Sequence, residues 1–167
     1  MNGYNDYASI TRQWLRRYND FSMAAKNMNA DVKILVQEIA ANEDMTAPIA
    51  KYSGMPSSGK SELNAVESST ARRLEKERQI EMVKNDVIEL ERVIAKIDRA
   101  INSLDGESAD IIKSYYIDRQ SWAKIADKHH YSEEWARKKS NKAIKRMALI
   151  IFGMKAMPEQ LSFVFVV

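Results

Sequence analysis

The chain has 167 residues and a net charge of +3, with 45% apolar residues, five glycines, three prolines and no cysteine. The scarcity of glycine and proline argues against a turn-rich all-β fold, and the lack of cysteine excludes a disulfide framework and a thiolate metal site. The two histidines, His129 and His130, are neighbours. Because adjacent helical side chains diverge by about 100°, we expect neither a metal site nor a cofactor.

The positive charge is concentrated towards the C-terminus. Residues 105–155 contain eleven Lys and Arg against seven Asp and Glu, a net charge of +4 that leaves −1 for the remainder. This asymmetry favours a polyanionic partner. The opening MNGYNDYASITRQW lacks a basic stretch followed by an apolar one, and no run approaches the roughly 20 apolar residues that span a bilayer. We therefore expect a cytoplasmic protein with no membrane association.

Residues 9–41 are predicted to form a long helix. Asn27, Asn29 and Asp31 are weak helix formers, so a break at residues 29–31, with Asp31 capping a second helix, is an alternative. The apolar side chains recur in steps of three and four, the spacing of a helix face that packs on another helix. They are Ile10, Trp14, Tyr18, Phe21, Ala25, Met28, Val32, Leu35 and Ile39.

Residues 42–62 are predicted to be a connecting loop, since prolines and glycines cluster there. Within it, GMPSSGKS at residues 54–61 matches the phosphate-binding pattern G-x-x-x-x-G-K-[ST]. That pattern binds nucleotides only where a strand leads into it and a helix follows. The preceding APIAKYS is a poor strand and no β-α alternation surrounds it. We therefore interpret the match as coincidental.

Residues 63–104 are predicted to form a second long helix with an unbroken heptad seam. A parallel dimer of this seam would set Asp86 against Glu91 of the second copy, a pairing of like charges. The first helix offers a matching stripe within the same chain, so we prefer an antiparallel hairpin within residues 1–104 and keep a homo-oligomer as the alternative. The seam consists of Ile80, Val83, Val87, Leu90, Ile94, Ile97, Ile101 and Leu104.

Residues 105–153 are predicted to form a helix-turn-helix module, which makes the chain all-α. Asp105 and Gly106 provide a turn and a cap before an apolar face of Ile111, Ile112, Tyr115 and Tyr116. Ser121 can cap a short helix whose inner face is Trp122, Ile125 and Ala126. His130 and Tyr131 suit the turn. We expect the aromatic residues to belong to the core, with Trp135, beside Ala136 near the start of the next helix, as the candidate exception that stacks on bases.

The second helix of this module is the candidate recognition helix. Ser132 caps it, acidic residues fill its first turn, and Ala136, Ala143, Ile144 and Met147 form its packing side. Arginine suits guanine, asparagine suits adenine, glutamate can accept from cytosine, and lysines suit phosphates. The candidate DNA-binding residues are therefore Ser132, Glu133, Glu134, Arg137, Lys138, Asn141, Lys142 and Lys145.

The stretch IIKSYYIDRQSWAKIADKHHYSEEWARKKSNKAIKRM resembles region 4 of bacterial sigma factors, and more closely the RinA/ArpU-type phage transcriptional regulators. In that family a helical hairpin with a Gly-Met-Pro-Ser-type loop precedes the helix-turn-helix, and Gly54-Met55-Pro56-Ser57 matches the loop. The resemblance implies an activator of phage late or packaging genes that binds promoter DNA and contacts host RNA polymerase. Two residues depart from the pattern: His129 replaces a usual leucine, and Lys139 replaces a common apolar core residue.

Two other functions fit an all-α, DNA-binding chain: a small terminase subunit, and an adaptor that uses the module to hold protein. Terminase subunits usually place the DNA-binding helices first, whereas here they come last. No nucleophile–base pair stands out, so we expect no enzyme activity. The tail at residues 154–167 ends in the apolar run LSFVFVV, which is expected to dock on its own chain or on a partner.

Overall fold

The computed structural model describes residues 6–46 and 60–157, and all the regular secondary structure in these residues is helical, which confirms the predicted all-α class. The elements in chain order are α1 (Tyr7–Arg16), α2 (Tyr18–Thr46), α3 (Lys60–Asn102), α4 (Gly106–Ile112), a π-helical turn (Lys113–Ile117), α5 (Trp122–His129), α6 (Glu133–Phe152) and a 3-10 turn (Gly153–Ala156).

The first predicted helix is in fact two helices, so the prediction of one continuous helix over residues 9–41 is wrong. Asp6 caps α1 by accepting a hydrogen bond from the Ser9 N–H at 3.2 Å. The break falls at Arg17, and α2 runs through residues 29–31 without interruption, so the alternative break is also wrong. The physical reason is tertiary. The break at Arg17 allows α1 to bury Leu15 in a core, and burial of Ala25 and Val32 outweighs the weak helix propensities of the residues between them.

The described residues form two compact units. The first consists of residues 6–22 and 91–157 and therefore joins α1 to the C-terminal helices. In its core, Leu15 of α1 meets Ile144 and Met147 of α6, all with no exposed surface. The Phe152 ring lies 4.9 Å from Tyr7 and 5.1 Å from Trp14. The helices before residue 104 thus contribute to the unit that contains the predicted recognition helix.

The second unit consists of residues 23–90, the adjoining parts of α2 and α3. Ala25 and Val32 of α2 are buried, as are Ile80 and Val87 of α3. Lys76 Nζ of α3 lies 2.7 Å from Glu38 Oε2 of α2. Every position of the predicted heptad seam, in either unit, is buried or half-buried, so the seam is an inward-facing stripe as predicted.

No described helix combines the length and the apolar character that a membrane crossing needs. The apolar end of the tail, LSFVFVV, lies outside the described residues. So do residues 54–59 of the phosphate-binding match, whereas Lys60 and Ser61 begin α3.

Candidate nucleic-acid interface

Helices α5 and α6 are joined by a short turn that begins with a left-handed residue. His130 has φ 58° and ψ 37°, and the N–H groups of His130 and Tyr131 donate to the carbonyls of Asp127 and Ala126 at 3.1 and 3.0 Å. This pair of bonds is the Schellman termination of a helix. Ser132 Oγ then accepts a hydrogen bond from the Trp135 N–H at 3.2 Å and starts α6. The predicted turn and cap are both confirmed.

A small apolar cluster packs α4, α5 and α6 together next to the turn. Ile111 of α4 and Ile125 of α5 are fully buried against Ala136 of α6. Ala126 of α5 is also buried, as predicted for the inner face of this helix. Tyr116 lies in the larger core of the unit, which confirms the core position predicted for it. The aromatic side chains that pack on the small cluster are Tyr115, Trp122 and Trp135.

From Ala136 to Met147, helix α6 buries its apolar residues and exposes every charged residue except the half-buried Lys139, whereas Leu149 and Ile150 beyond them are exposed. The four residues of the predicted packing side, Ala136, Ala143, Ile144 and Met147, are buried. The helix carries six Lys and Arg against two Glu. All eight predicted DNA-binding residues are exposed, namely Ser132, Glu133, Glu134, Arg137, Lys138, Asn141, Lys142 and Lys145.

Two of the cations on this exposed face are paired within the helix. Arg137 Nη2 lies 2.9 Å from Glu133 Oε2, and Lys138 Nζ lies 2.7 Å from Glu134 Oε1. Exposed pairs of this kind contribute about 0–1 kcal/mol, so a phosphate or a guanine edge can displace the glutamates at little cost. The Arg137 guanidinium also lies 5.6 Å from the centre of the Trp122 ring, which limits its range of directions.

The other three polar residues of the face differ in their surroundings. Asn141 Oδ1 accepts a hydrogen bond from Arg12 Nη2 of α1 at 3.2 Å. Within the described part of the chain, the side chains of Lys142 and Lys145 take part in no hydrogen bond or ion pair. Their charges are therefore available to a polyanion without the loss of an internal contact.

Lys139, a departure from the family pattern, is held at the edge of the unit by acidic residues. Its ammonium binds the Glu107 carboxylate of α4 and lies 3.7 Å from Asp105 Oδ1. It also lies 4.9 Å from the centre of the Trp135 ring. Two carboxylates and an aromatic face thus compensate the partly buried charge of Lys139.

His129, the second departure, is held in the same way. Its Nε2 lies 2.8 Å from Asp110 Oδ2, and Lys128 Nζ lies 2.7 Å from the same oxygen. The hydrogen bond from Lys128, assisted by the one from His129, lowers the pKa of Asp110 below its usual value. Asp105 caps the start of α4 by accepting a hydrogen bond from the backbone N–H of Ser108, and this bond is the main cause of its lowered pKa. Carboxylates of α4 therefore tie both helices of the α5–α6 pair to the unit.

Comparison with protein-family models, with curated proteins and with solved structures gives no match. The function must therefore be argued from the residues themselves. Within residues 6–46 and 60–157, no three His, Cys, Asp or Glu side chains are grouped so that they could hold a metal ion.

Sequence reasoning missed three residues that shape this site. Arg12 lies 129 positions from Asn141, and nothing local to either residue indicates the contact. The contacts of Glu107 and Asp110 could have been predicted from the sequence. Residues three apart on a helix lie on the same face, so these two carboxylates can pair with cations of one neighbouring surface. Since His129 and Lys139 both lie at positions expected to be partly buried, each needs a carboxylate partner, and the acidic face of α4 provides one for each.

Proposed function

We propose that this chain binds double-stranded DNA through α6 and acts as a transcriptional regulator. In this proposal α5 and α6 form a helix-turn-helix of the sigma-region-4 type, and α2 and α3 form an antiparallel hairpin. The observation that carries the proposal is the separation on α6: a buried apolar side holds the helix, and an exposed basic side contains the eight candidate residues.

The dimensions and chemistry of α6 support major-groove binding. A helix of 20 residues is about 30 Å long, and a helix fits the major groove, which is about 12 Å wide. Arg137 supplies the planar donor group that suits guanine O6 and N7. Lys142 and Lys145 suit phosphates, which would position the helix and make binding dependent on salt.

The resemblance to RinA/ArpU-type regulators supports the biological part of the proposal. On that basis the DNA is a phage promoter, the genes are late or packaging genes, and host RNA polymerase is the second partner. The rest of the chain, including the hairpin, would support the module or contact the polymerase. A small terminase subunit remains the competing assignment, because such a protein also combines DNA-binding helices with further helices.

The test has two stages. The purified full chain is first used to select from a library of random-sequence duplexes, and the wild type is expected to enrich one motif. The double variant Lys142→Ala, Lys145→Ala, which removes two exposed charges and no internal contact, should lose most of that binding while its thermal unfolding stays unchanged. Equal enrichment by the double variant would contradict the assignment of α6.

In the second stage, the selected motif is placed upstream of a promoter and transcribed with bacterial RNA polymerase. An activator should raise the transcript yield only on the template that carries the motif. Specific DNA binding with no effect on transcription would instead favour a packaging role.

A further inference from the structure

An arginine from the other end of the chain takes part in the candidate DNA-binding face. Arg12 of α1 donates from Nη2 to Asn141 Oδ1 at 3.2 Å. The position of α1 is fixed, because Thr11 and Leu15 on either side of Arg12 are fully buried. The Thr11 hydroxyl also donates to the Tyr7 carbonyl at 2.7 Å. The guanidinium is therefore presented to Asn141 by a well-packed helix.

The contact determines which atom of the Asn141 amide is left for a ligand. Arginine has only N–H donors, so the Asn141 atom that faces it must be the oxygen. The amide nitrogen, with its two N–H donors, is what remains. Asparagine recognises adenine with both atoms, since the oxygen accepts from N6 and the nitrogen donates to N7. The oxygen keeps a second lone pair, but an N6 amino group that approaches it also meets the positive charge and N–H donors of Arg12, so the two-bond contact with adenine is weakened.

Together, the two side chains present donors. The Asn141 nitrogen offers two N–H groups, and the guanidinium offers those not used by Asn141. In the major groove, guanine shows two neighbouring acceptors, O6 and N7, whereas adenine shows one acceptor beside a donor. A surface made of donors therefore matches guanine and opposes the N6 amino group of adenine.

We propose that Arg12 is a specificity-determining residue of this interface, which sets Asn141 to read guanine in place of adenine. The proposal rests on the proposed DNA-binding function and adds α1 to it. Its consequence is that base preference at one position depends on a residue outside the helix-turn-helix.

The experiment compares the motifs that four full-length proteins select from a random-sequence duplex library: the wild type, Arg12→Met, Asn141→Ala and Arg16→Ala. Methionine keeps much of the alkyl stem of Arg12 and removes every donor. Arg16→Ala is the matched control, because it removes an exposed arginine from the same helix. Thermal unfolding of each protein checks that α1 still packs.

The wild type should select guanine at a position that becomes unspecified in Asn141→Ala. Arg12→Met should shift that position towards adenine, with the guanine-to-adenine ratio falling about tenfold, the scale of one two-bond side chain–base contact. Arg16→Ala should select the wild-type motif.

Three results would overturn the proposal: adenine at this position in the wild type, an unchanged preference in Arg12→Met, or a loss of affinity in Arg12→Met that is equal for all sequences. The last result would make Arg12 a phosphate contact. These failures differ from failure of the proposed function, in which the wild type selects no motif or the α6 lysine variants bind as well as the wild type.

Discussion

Lys139 of α6 and Glu107 of α4 form an ion pair at the edge of the unit. The lysine is largely shielded, with 23% of its side chain exposed, so an unpaired ammonium here would be costly. The same helix α4 supplies Asp110 to Lys128 and His129. Ion pairs thus tie α5 and α6 to α4, which makes the α5–α6 pair sensitive to acid.

The pH dependence of the free energy of unfolding should show how much the ion pairs of Asp110 contribute to stability. Because the pKa of Asp110 is lowered in the folded chain, its contribution is present above the unfolded value of about 3.9 and is lost as the pH falls through the folded value. Asp110→Asn should therefore lower the free energy of unfolding by about 0.5–1 kcal/mol at pH 7, the scale of a partly exposed pair. The difference should be smaller at pH 3 than at pH 7, because the carboxylate is progressively protonated as the pH falls below its unfolded value.

Urea unfolding at the two pH values measures this effect. The control is Asp118→Asn, which removes an exposed carboxylate that forms no ion pair within the described residues. An equal loss in both variants, or a difference for Asp110→Asn that is as large at pH 3 as at pH 7, would contradict the role assigned to the ion pairs.

The turn between α5 and α6 contains a strained residue that glycine should relieve. The backbone of His130 is left-handed, a conformation that costs an L-residue about 1–2 kcal/mol and that glycine adopts without this cost. Glycine, however, loses more conformational entropy on folding, which offsets about 0.5–1 kcal/mol of the stabilisation. His130→Gly should therefore raise the free energy of unfolding by about 0.5–1 kcal/mol. His130→Ala keeps the Cβ and should give no gain. Thermal unfolding of the two variants, measured together, decides whether the backbone causes the effect.

Local features of this fold could be predicted from the sequence, and distant contacts could not. The caps at Ser121 and Ser132 and the turn at His130 depend on neighbours within four residues, so their signals lie in short stretches of sequence. The buried side of α6 likewise follows from helical periodicity. These features supplied most of the candidate site.

The break at Arg17 and the contact between Arg12 and Asn141 have no comparable signal. Both depend on α1 packing against α6, which joins the two ends of the chain. Apolar periodicity predicts that α1 has a buried face, but several partners could cover that face equally well. Choosing among them requires the three-dimensional packing.

Ser140 offers a simple test of how α6 packs. Its side chain is 2% exposed, and its hydroxyl forms no hydrogen bond within the described part of the chain. A buried hydroxyl without a partner costs about 1–3 kcal/mol, and alanine is the better helix former. Ser140→Ala should raise the free energy of unfolding by about 1 kcal/mol. A loss of stability in urea unfolding would show that this hydroxyl is paired in solution.

Lys142 is expected to contact a phosphate and to carry no sequence preference. Lys142→Ala should weaken binding to all duplexes alike and reduce the slope of log K against log salt by about 0.9, the value for one phosphate contact. Fluorescence anisotropy with a random-sequence duplex at several salt concentrations measures the slope. Lys96→Ala removes an exposed charge from α3 and should leave the slope unchanged. Equal slopes for the wild type and Lys142→Ala would remove Lys142 from the interface.

Arg137 is expected to read a base, in contrast to Lys138 beside it. Both are exposed and paired to a glutamate one turn earlier, but only arginine has the planar group that binds guanine with two hydrogen bonds. Arg137→Ala should cost about 1–3 kcal/mol on the selected motif and relax one position. Lys138→Ala should weaken all sequences without changing the motif.

The variant Arg137→Lys separates charge from geometry at this position. It keeps the cation and the pairing partner Glu133 four residues earlier, but it lacks the planar donor group. We expect it to regain much of the binding to random-sequence duplexes and little of the base preference, as measured by competition between the selected motif and single-base variants. If the lysine variant restored the preference in full, Arg137 would act through its charge alone, and base reading by α6 would have to come from other residues of the face.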